Sequence, residues 1–266
     1  MRMHVLICLL ILMLPLPATY SALAQTKTSQ DGGYAPDYLA AKKLRQALKV
    51  NDRKAVAKLI DYPLFRQIPL KPISSRKDFL AHWEEYFNVK ITTDLIEAEP
   101  GEAGWRGVEM LNGSIWFNEG KISAINVQSN AGQKALKDAI ALDGAGLFPS
   151  ARGYDQLEYV CKTKNHTIRV EKFGEDLTYF SWKGRASLAD KPELEIKGGQ
   201  IDYQGSGGNH DIIFKNNAFT YTLRVVRICG EDCNDEISVS KGDAVLSTEV
   251  CNGGVKPLTD LLRSPK

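Results

Sequence analysis

The chain has 266 residues, of which 43% are hydrophobic and 25% are charged. This apolar content is too high for a disordered polymer, and 22 glycines with 11 prolines are too few for a fibrous repeat. A formal net charge of +2 argues against a dedicated nucleic-acid-binding protein, which normally carries a marked basic excess.

The first 24 residues have the organisation of an export signal. Arg2 and His4 form a short polar start, residues 5–16 are almost continuously aliphatic, and Ala22-Leu23-Ala24 provides the small residues of a signal-peptidase site. A retained membrane anchor is the alternative, but the apolar run is too short to span ~30 Å of hydrocarbon. We therefore predict cleavage after Ala24 and an exported mature protein, either periplasmic or secreted.

Helices and then strands are expected in the N-terminal half. Residues 25–36 read as a flexible N-terminus, and residues 37–130 read as an α+β domain. Three helices come first, the third with an apolar face from Phe79 to Phe87, and residues 64–70 form a predicted strand before it. Apolar residues then occur at every second position, which is typical of strands. Turn residues separate three predicted strands: 105–111, 114–118 and 121–127.

The C-terminal half is predicted to be all β. A helix over 133–142 lies in a helical linker, 131–152, and the all-β domain with its short C-terminal tail spans 153–266. Glycine, asparagine and aspartate separate the predicted strands 157–162, 167–172, 177–182, 193–196, 200–203, 211–214, 219–228, 236–240 and 244–250. This number of short antiparallel strands is typical of a small barrel or sandwich.

Disulfides are predicted to stabilise the C-terminal half. Removal of the signal leaves Cys161, Cys229, Cys233 and Cys251, and an even number in an oxidising compartment predicts two disulfides with three possible connectivities. We favour Cys229–Cys233, which closes a tight loop, and Cys161–Cys251, which ties the first strand of this half to its last. Zinc is the alternative, but no second close ligand pair accompanies the Cys-x3-Cys motif. We expect no metal and no cofactor.

Three segments carry a resemblance to a known superfamily. They are Ala-Lys-Leu-Ile-Asp-Tyr-Pro-Leu (57–64), Asp-Phe-Leu-Ala-His-Trp (78–83) and Asn-Gly-Ser-Ile-Trp-Phe (112–117). With the order of elements, they make residues 37–128 similar to the NTF2-like superfamily, in which helices and a curved sheet form a cone around a pocket. The resemblance implies a ligand pocket inside the cone.

Four residues are candidates for that pocket: Trp83, Trp105, Glu109 and Trp116. On an alternating strand, Trp105 and Glu109 would share one face. A carboxylate among aromatic rings suits a cation, a sugar or an apolar ligand. Regularly spaced aromatic residues are also typical of a hydrophobic core, so core packing is the alternative.

A second resemblance concerns residues 153–252. Tyr159-Val-Cys161 at the start and Gly205-Ser-Gly-Gly-Asn-His210 further on make this half similar to periplasmic inhibitors of C-type lysozyme. Those are eight-stranded barrels with an early Tyr-x-Cys and a Ser-Gly-x-x-Tyr loop that enters the lysozyme cleft. Here His210 stands at the position of the loop tyrosine. The resemblance implies an inhibitory contact by this loop.

Two loops of this half are therefore candidates for contact with a protein partner. They span 205–211 and the acidic segment 229–236, and the candidate residues are Ser206, Asn209, His210, Asp211, Glu231 and Asp232. A disulfide within the acidic loop would pre-organise it for binding. No catalytic set is recognisable: His82 is assigned to the edge of the core, His166 to a solvated turn, and His210 lacks a located partner.

The sequence thus predicts an α+β protein, with helices on a curved antiparallel sheet followed by a disulfide-braced all-β domain. We expect an exported, non-enzymatic protein that recognises a protein partner in the cell envelope. Its most specific version is an inhibitor of a cell-wall hydrolase. The alternative is a small-ligand binder or enzyme that uses the cone pocket. Neither nucleic acid nor a membrane span is expected.

Overall fold

The computed structural model describes residues 33–184, 186–229 and 234–252, apart from the side chain of Ser206. The predicted signal peptide, residues 25–32 of the predicted flexible N-terminus, the predicted C-terminal tail after Asn252, and Glu231, Asp232 and Cys233 lie outside the described residues. Within those residues, no helix is both long and apolar enough to cross a membrane.

Helices precede a small antiparallel sheet in the N-terminal half. The helices are α1 (Ala35–Lys49), α2 (Arg53–Leu59), α3 (Arg76–Ala81), α4 (Trp83–Tyr86) and α5 (Val89–Glu97). The strands, adjacent in chain order, are β1 (Pro100–Gly104), β2 (Gly107–Met110), β3 (Ile115–Asn118) and β4 (Lys121–Ile125). Helix α6 (Asn130–Ala145) follows.

Side-chain caps and one apolar face explain these elements. Asp52, Ser75 and Asn88 each accept a hydrogen bond from a backbone N–H in the first turn of α2, α3 and α5, respectively. The helices bury their apolar sides against one face of the sheet, where β2 and β3 contribute alternate residues. The resulting core contains Leu44, Phe79, Trp83, Leu95, Val108, Met110, Ile115 and Phe117.

Three predictions for this half were wrong. Residues 64–70 form no strand, because only Leu64 pairs, in an isolated bridge with Ile73; Pro69 also lacks an N–H to donate. The third helix divides at His82 into α3 and α4. Trp105 lies in the turn between β1 and β2 and not on a strand. Sequence analysis also missed α5 and β1, whose Pro-Gly-Glu-Ala-Gly sequence has little intrinsic strand propensity.

The second half is one antiparallel sheet of eight strands, each paired with the next in sequence. The strands are β5 (Gln156–Lys162), β6 (His166–Phe173), β7 (Asp176–Lys183), β8 (Leu194–Tyr203), β9 (His210–Asn216), β10 (Phe219–Val225), β11 (Glu236–Lys241) and β12 (Ala244–Val250). Predicted strands 193–196 and 200–203 are a single strand, β8. Gly198, at φ 78°, and Gly199 lie where the register with β7 shifts, and this interrupts the alternating pattern.

The sheet is curled into a half-barrel whose first and last strands are joined. A disulfide connects Cys161 to Cys251, and the Asn252 N–H donates to the Lys162 carbonyl (2.5 Å), so the predicted Cys161–Cys251 pairing is confirmed. Cys229 is also disulfide-bonded, although its predicted partner Cys233 is not described. The concave side is packed with Tyr159, Ile168, Val170, Tyr179, Ile212, Phe214, Leu223 and Ile237.

The outer face of β5–β7 is covered as well. Residues from α6, from the short 3-10 helix Pro149–Ala151 and from the segment after it pack against Leu157, Phe180 and Trp182. The indole N–H of Trp182 donates to the Asp190 carbonyl (2.9 Å). Strand β7 is therefore buried on both faces, and α6 lies between the helical half and the curled sheet.

A buried charge network joins α6 to the sheet. The Arg169 guanidinium, on β6, lies 2.6 Å from Asp143 of α6 and 2.6 Å from Glu171. The Tyr154 hydroxyl also donates to Asp143 (2.8 Å). Glu171 is fully buried, and burial raises its pKa to about 7 although Arg169 acts in the opposite direction.

We predict that this network makes the stability of the protein depend on pH. Because the folded-state pKa of Glu171 lies above its ordinary value, its contribution is complete at acidic pH and is lost as pH rises through about 7. The free energy of unfolding should therefore fall by roughly 1–3 kcal/mol between about pH 5 and 8. Urea unfolding at several pH values measures this.

Glu171→Gln should flatten that dependence, whereas Glu175→Gln, on the exposed β6–β7 turn, should retain it. Asp235, whose pKa burial raises to about 6, contributes in the same direction at lower pH. The change in the free energy of unfolding with pH is therefore compared between each variant and the parent. An unchanged slope in Glu171→Gln would contradict the assignment.

Candidate functional site

The first of the two loops predicted to contact a partner packs against the segment that follows β10, just before the predicted acidic loop. The Asn209 side-chain oxygen accepts hydrogen bonds from the backbone N–H groups of Arg227 (2.7 Å) and Ile228 (2.8 Å). Its amide nitrogen donates to the Ile228 carbonyl (2.8 Å). One asparagine thus fastens the β8–β9 loop, residues 204–209, to the segment that follows β10. We call residues 203–211 and 226–229 together the loop surface.

Glycines allow the β8–β9 loop to turn and to pack closely. Gly205 and Gly208 have φ angles of 72° and 85°, in the left-handed region that favours glycine. A Cβ atom on Gly207 would lie only 3.1 Å from Cδ1 of Ile228. The Gln204 N–H donates to the Asn209 carbonyl and closes the loop (2.8 Å). The glycine-rich sequence is therefore required by the local geometry.

An aromatic pair stands at the edge of the loop surface. Tyr203, the last residue of β8, is opposite His210, the first residue of β9, and their ring centroids are 5.5 Å apart. Tyr203 is 67% exposed, whereas His210 is half-buried with its Nδ1 2.9 Å from the Gly208 carbonyl oxygen. Sequence analysis missed Tyr203; its only signal was an aromatic residue that ends a strand just before the glycines.

Asp211 is engaged within the protein. It accepts a hydrogen bond from the Gln204 side chain (3.0 Å), and the Arg224 guanidinium lies 3.5 Å from its other oxygen. Asp211 and Asn209 therefore position the loop surface, while Tyr203 and His210 form its accessible ring pair. The structure describes neither the Ser206 side chain nor Glu231 and Asp232.

The buried carboxylate of Asp235 holds the segment after β10 in place. Asp235 accepts hydrogen bonds from the Val226 N–H (2.6 Å) and from the Tyr159 hydroxyl. Burial raises the Asp235 pKa to about 6, against the opposing effect of the Val226 N–H. The Cys251 N–H donates to the Asp235 carbonyl (2.8 Å). Tyr159 and Cys251 thus connect the loop surface to the joined edges of the half-barrel.

The four pocket candidates of the N-terminal half are only partly brought together. Trp83 is buried in the core, stacked on Phe87 with ring centroids 4.5 Å apart. Trp105 is half exposed in its turn, with the Arg106 guanidinium 4.7 Å from its ring centroid. Glu109 and Trp116 are directly opposite each other on β2 and β3. The Glu109 carboxylate accepts a hydrogen bond from the Gly113 N–H (2.6 Å).

Trp116 instead lines a cleft of about 290 Å³ between the two halves. The cleft lies on the outer face of the small sheet, and its lining includes Phe65, Arg106, Trp116, Gly207, Gly208 and Arg227. A Cβ atom on Gly208 would lie 3.7 Å from Nη2 of Arg106, so the N-terminal half covers one side of the glycine loop. The side that carries Tyr203 faces solvent.

His166 is not a solvated turn residue. It is the first residue of β6, and its Nδ1 lies 3.2 Å from Oε1 of Glu249 on β12. This pair belongs to the concave side of the half-barrel. No sequence signal joins the two residues, because they lie near opposite ends of the eight-stranded sheet and meet only when it curls.

Among the residues that the structure describes, no three or more His, Cys, Asp or Glu side chains are placed so that they could hold a metal ion. Comparison with protein-family models, with curated proteins and with solved structures found no significant match to the chain. Function is therefore inferred from the geometry of the loop surface and of the cleft, and from the sequence resemblances.

Proposed function

We propose that the chain is an exported, non-enzymatic protein whose half-barrel recognises a protein partner in the cell envelope. The most specific form of the proposal is inhibition of a lysozyme-like cell-wall hydrolase. The observation that carries it is the fastening of the β8–β9 loop to the segment after β10 by Asn209, with Tyr203 and His210 at the edge of the loop surface.

The resemblance to lysozyme inhibitors supports this proposal at several positions. The half-barrel has eight consecutively paired antiparallel strands, and Tyr159 and Cys161 of the early Tyr-x-Cys anchor the joined edges. His210 replaces the loop tyrosine, but the exposed ring of Tyr203 lies beside it. Tyrosine supplies a large contact area with few rotatable bonds, which makes it effective in protein recognition.

The loop surface is held in place before binding, which supports partner recognition. The three hydrogen bonds of Asn209 and the anchoring of Val226 by Asp235 hold both segments in place before a partner arrives. A rigid loop loses less conformational entropy on binding than a free one. Because Arg106 lies next to Gly208, a partner is expected to approach from the Tyr203 side.

We also propose that residues 37–128 form an NTF2-like unit. Helices α1–α5 cover one face of a four-stranded antiparallel sheet, and a single apolar core lies between them. In this proposal the unit positions the half-barrel, because Arg106 reaches the glycine loop.

The first test is inhibition of a C-type lysozyme acting on purified cell walls, with oxidised protein spanning residues 25–266. We expect saturable inhibition, weakened about tenfold or more by Tyr203→Ala, since an interface hot spot contributes at least this much. Asn209→Ala should also weaken it, through loosening of the loop. Phe219→Ala removes a partly exposed aromatic side chain from the start of β10 and should have no effect.

The lysozyme proposal fails if excess protein neither binds the enzyme nor slows cell-wall lysis. Partner recognition through the loop surface fails if an envelope protein captured by the chain binds Tyr203→Ala as well as it binds the parent.

A small-ligand binder is the second candidate, favoured by the composition of the cleft. Arg106 and Arg227, one from each half, line it together with the Trp116 indole. Guanidinium groups bind carboxylates through paired hydrogen bonds, and an indole ring offers an apolar face to a sugar. The ligand class proposed is therefore an acidic sugar.

Glucuronate should bind in isothermal titration calorimetry, and glucose should bind much more weakly. Arg106→Gln should weaken glucuronate binding about fivefold or more, as expected for loss of one charged hydrogen-bond partner. Arg53→Gln, which removes another exposed guanidinium of the same half, is the matched control. Equal binding of glucose, or full binding by Arg106→Gln, would exclude this second candidate.

A further inference from the structure

The concave side of the half-barrel encloses a third space, distinct from the loop surface and from the cleft. It is a cavity of about 310 Å³, near the lower end of the range for small-molecule sites. Its polar lining comprises His166, Tyr179, Ser181, Glu193, Tyr221, Ser247 and Glu249. These residues come from four strands, β6, β7, β10 and β12, and from the loop before β8, so the cavity depends on the curl of the sheet.

One side of the cavity is acidic. The His166 ring lies between two carboxylates, with Nδ1 3.2 Å from Oε1 of Glu249 and Nε2 4.0 Å from Oε2 of Glu193. Glu193 is half exposed, so its carboxylate is in contact with solvent. Two carboxylates and one imidazole make this side unfavourable for an anion.

Glu249 carries the unmet hydrogen-bonding capacity. Its second oxygen, Oε2, is buried and accepts no hydrogen bond from the described residues. Burial acts to raise the pKa of Glu249, but the nearby polar side chains of Thr163 and Asn165 and the charge of His166 outweigh it, so the pKa lies below its usual range. The group is thus a carboxylate at neutral pH. A buried acceptor of this kind is normally paired, which indicates a ligand that donates an N–H or O–H.

The opposite side of the cavity is aromatic. Tyr179 is buried, and its ring centroid lies 5.7 Å from that of Tyr221. Both residues line the same space as Glu249. The electron-rich faces of such rings attract a cation that has shed part of its water.

We propose that this cavity binds a small organic ammonium ion. Its N–H groups donate to Oε2 of Glu249, and its positive charge lies against the rings of Tyr179 and Tyr221. The combination of a carboxylate with aromatic walls selects a charged amine over a neutral alcohol of equal size. A metal ion fits less well, because the described parts of the chain place no three His, Cys, Asp or Glu side chains so that they could hold one. This site is independent of the proposed partner recognition.

The probe for a direct test is cadaverine, a linear diamine, titrated into the oxidised protein and followed by amide NMR. We expect saturable binding with a Kd on the order of 0.1–1 mM. The shifted amides should lie around His166, Tyr179, Tyr221 and Glu249. The diol of the same chain length should bind at least about tenfold more weakly, because it carries no charge.

Substitutions test separately the contribution of the Glu249 carboxylate and that of the aromatic wall. Glu249→Gln keeps the shape and should weaken cadaverine binding about tenfold or more. Glu175→Gln, the loss of an exposed carboxylate on the β6–β7 turn, should change nothing. Tyr221→Phe keeps the ring and should bind as the parent does, whereas Tyr221→Leu should bind more weakly. If circular dichroism shows that Glu249→Gln does not fold, the two Tyr221 variants provide the test instead. Equal cadaverine binding by Tyr221→Phe and Tyr221→Leu would then contradict the proposal.

Four results would overturn the proposal. The first is no saturable binding of cadaverine up to about 50 mM, a range that covers even weak complexes. The second is equal binding of the diol, and the third is unchanged affinity in a folded Glu249→Gln. The fourth is displacement of cadaverine by millimolar Ca²⁺ with the same amide shifts, which would assign the site to a metal ion.

Discussion

The joining of the first and last strands of the half-barrel is the constraint on which the rest of this structure depends. An eight-stranded sheet has two edges with unpaired backbone groups, and here curling brings those edges together at Cys161 and Cys251. A cross-link between residues 90 positions apart in sequence restricts the unfolded chain, a contribution of about 2–5 kcal/mol. It therefore favours the curled form over an open sheet.

The loop surface and the cavity on the concave side are both built from that junction. On one side, the Cys251 N–H and the Tyr159 hydroxyl hold Asp235, which in turn holds Val226 beside the glycine loop. On the other side, Glu249 on β12 meets His166 on β6. The loop surface and the cavity thus share a scaffold although their chemistry differs. One presents an exposed aromatic pair, and the other encloses a carboxylate among buried rings.

The sequence predicted the half-barrel better than the helical half, for physical reasons. Alternating apolar residues and glycine or asparagine turns marked every strand from β5 to β12, and only the Gly198-Gly199 pair made β8 look like two. In the N-terminal half, β1 has no alternating pattern and pairs only with β2. Its strand character comes from its neighbour and not from its own residues.

The candidate sites were less predictable, because they depend on contacts between distant residues. Asn209 and His210 were identified from the glycine loop, but the fastening role of Asn209 depends on Arg227 and Ile228. Tyr203 and the His166–Glu249 pair became apparent only once strand pairing and the curl of the sheet were known. A sequence pattern reports local periodicity, whereas these contacts arise from closure.

The measurement that tests the dependence on closure most directly is hydrogen exchange of the parent and of the Cys161→Ser/Cys251→Ser variant. If closure holds both sites, amides of 226–228 and of the start of β6 should lose protection together, while α1 and β3 keep theirs. If protection at the two sites is unchanged, or falls equally throughout the chain, closure does not organise them.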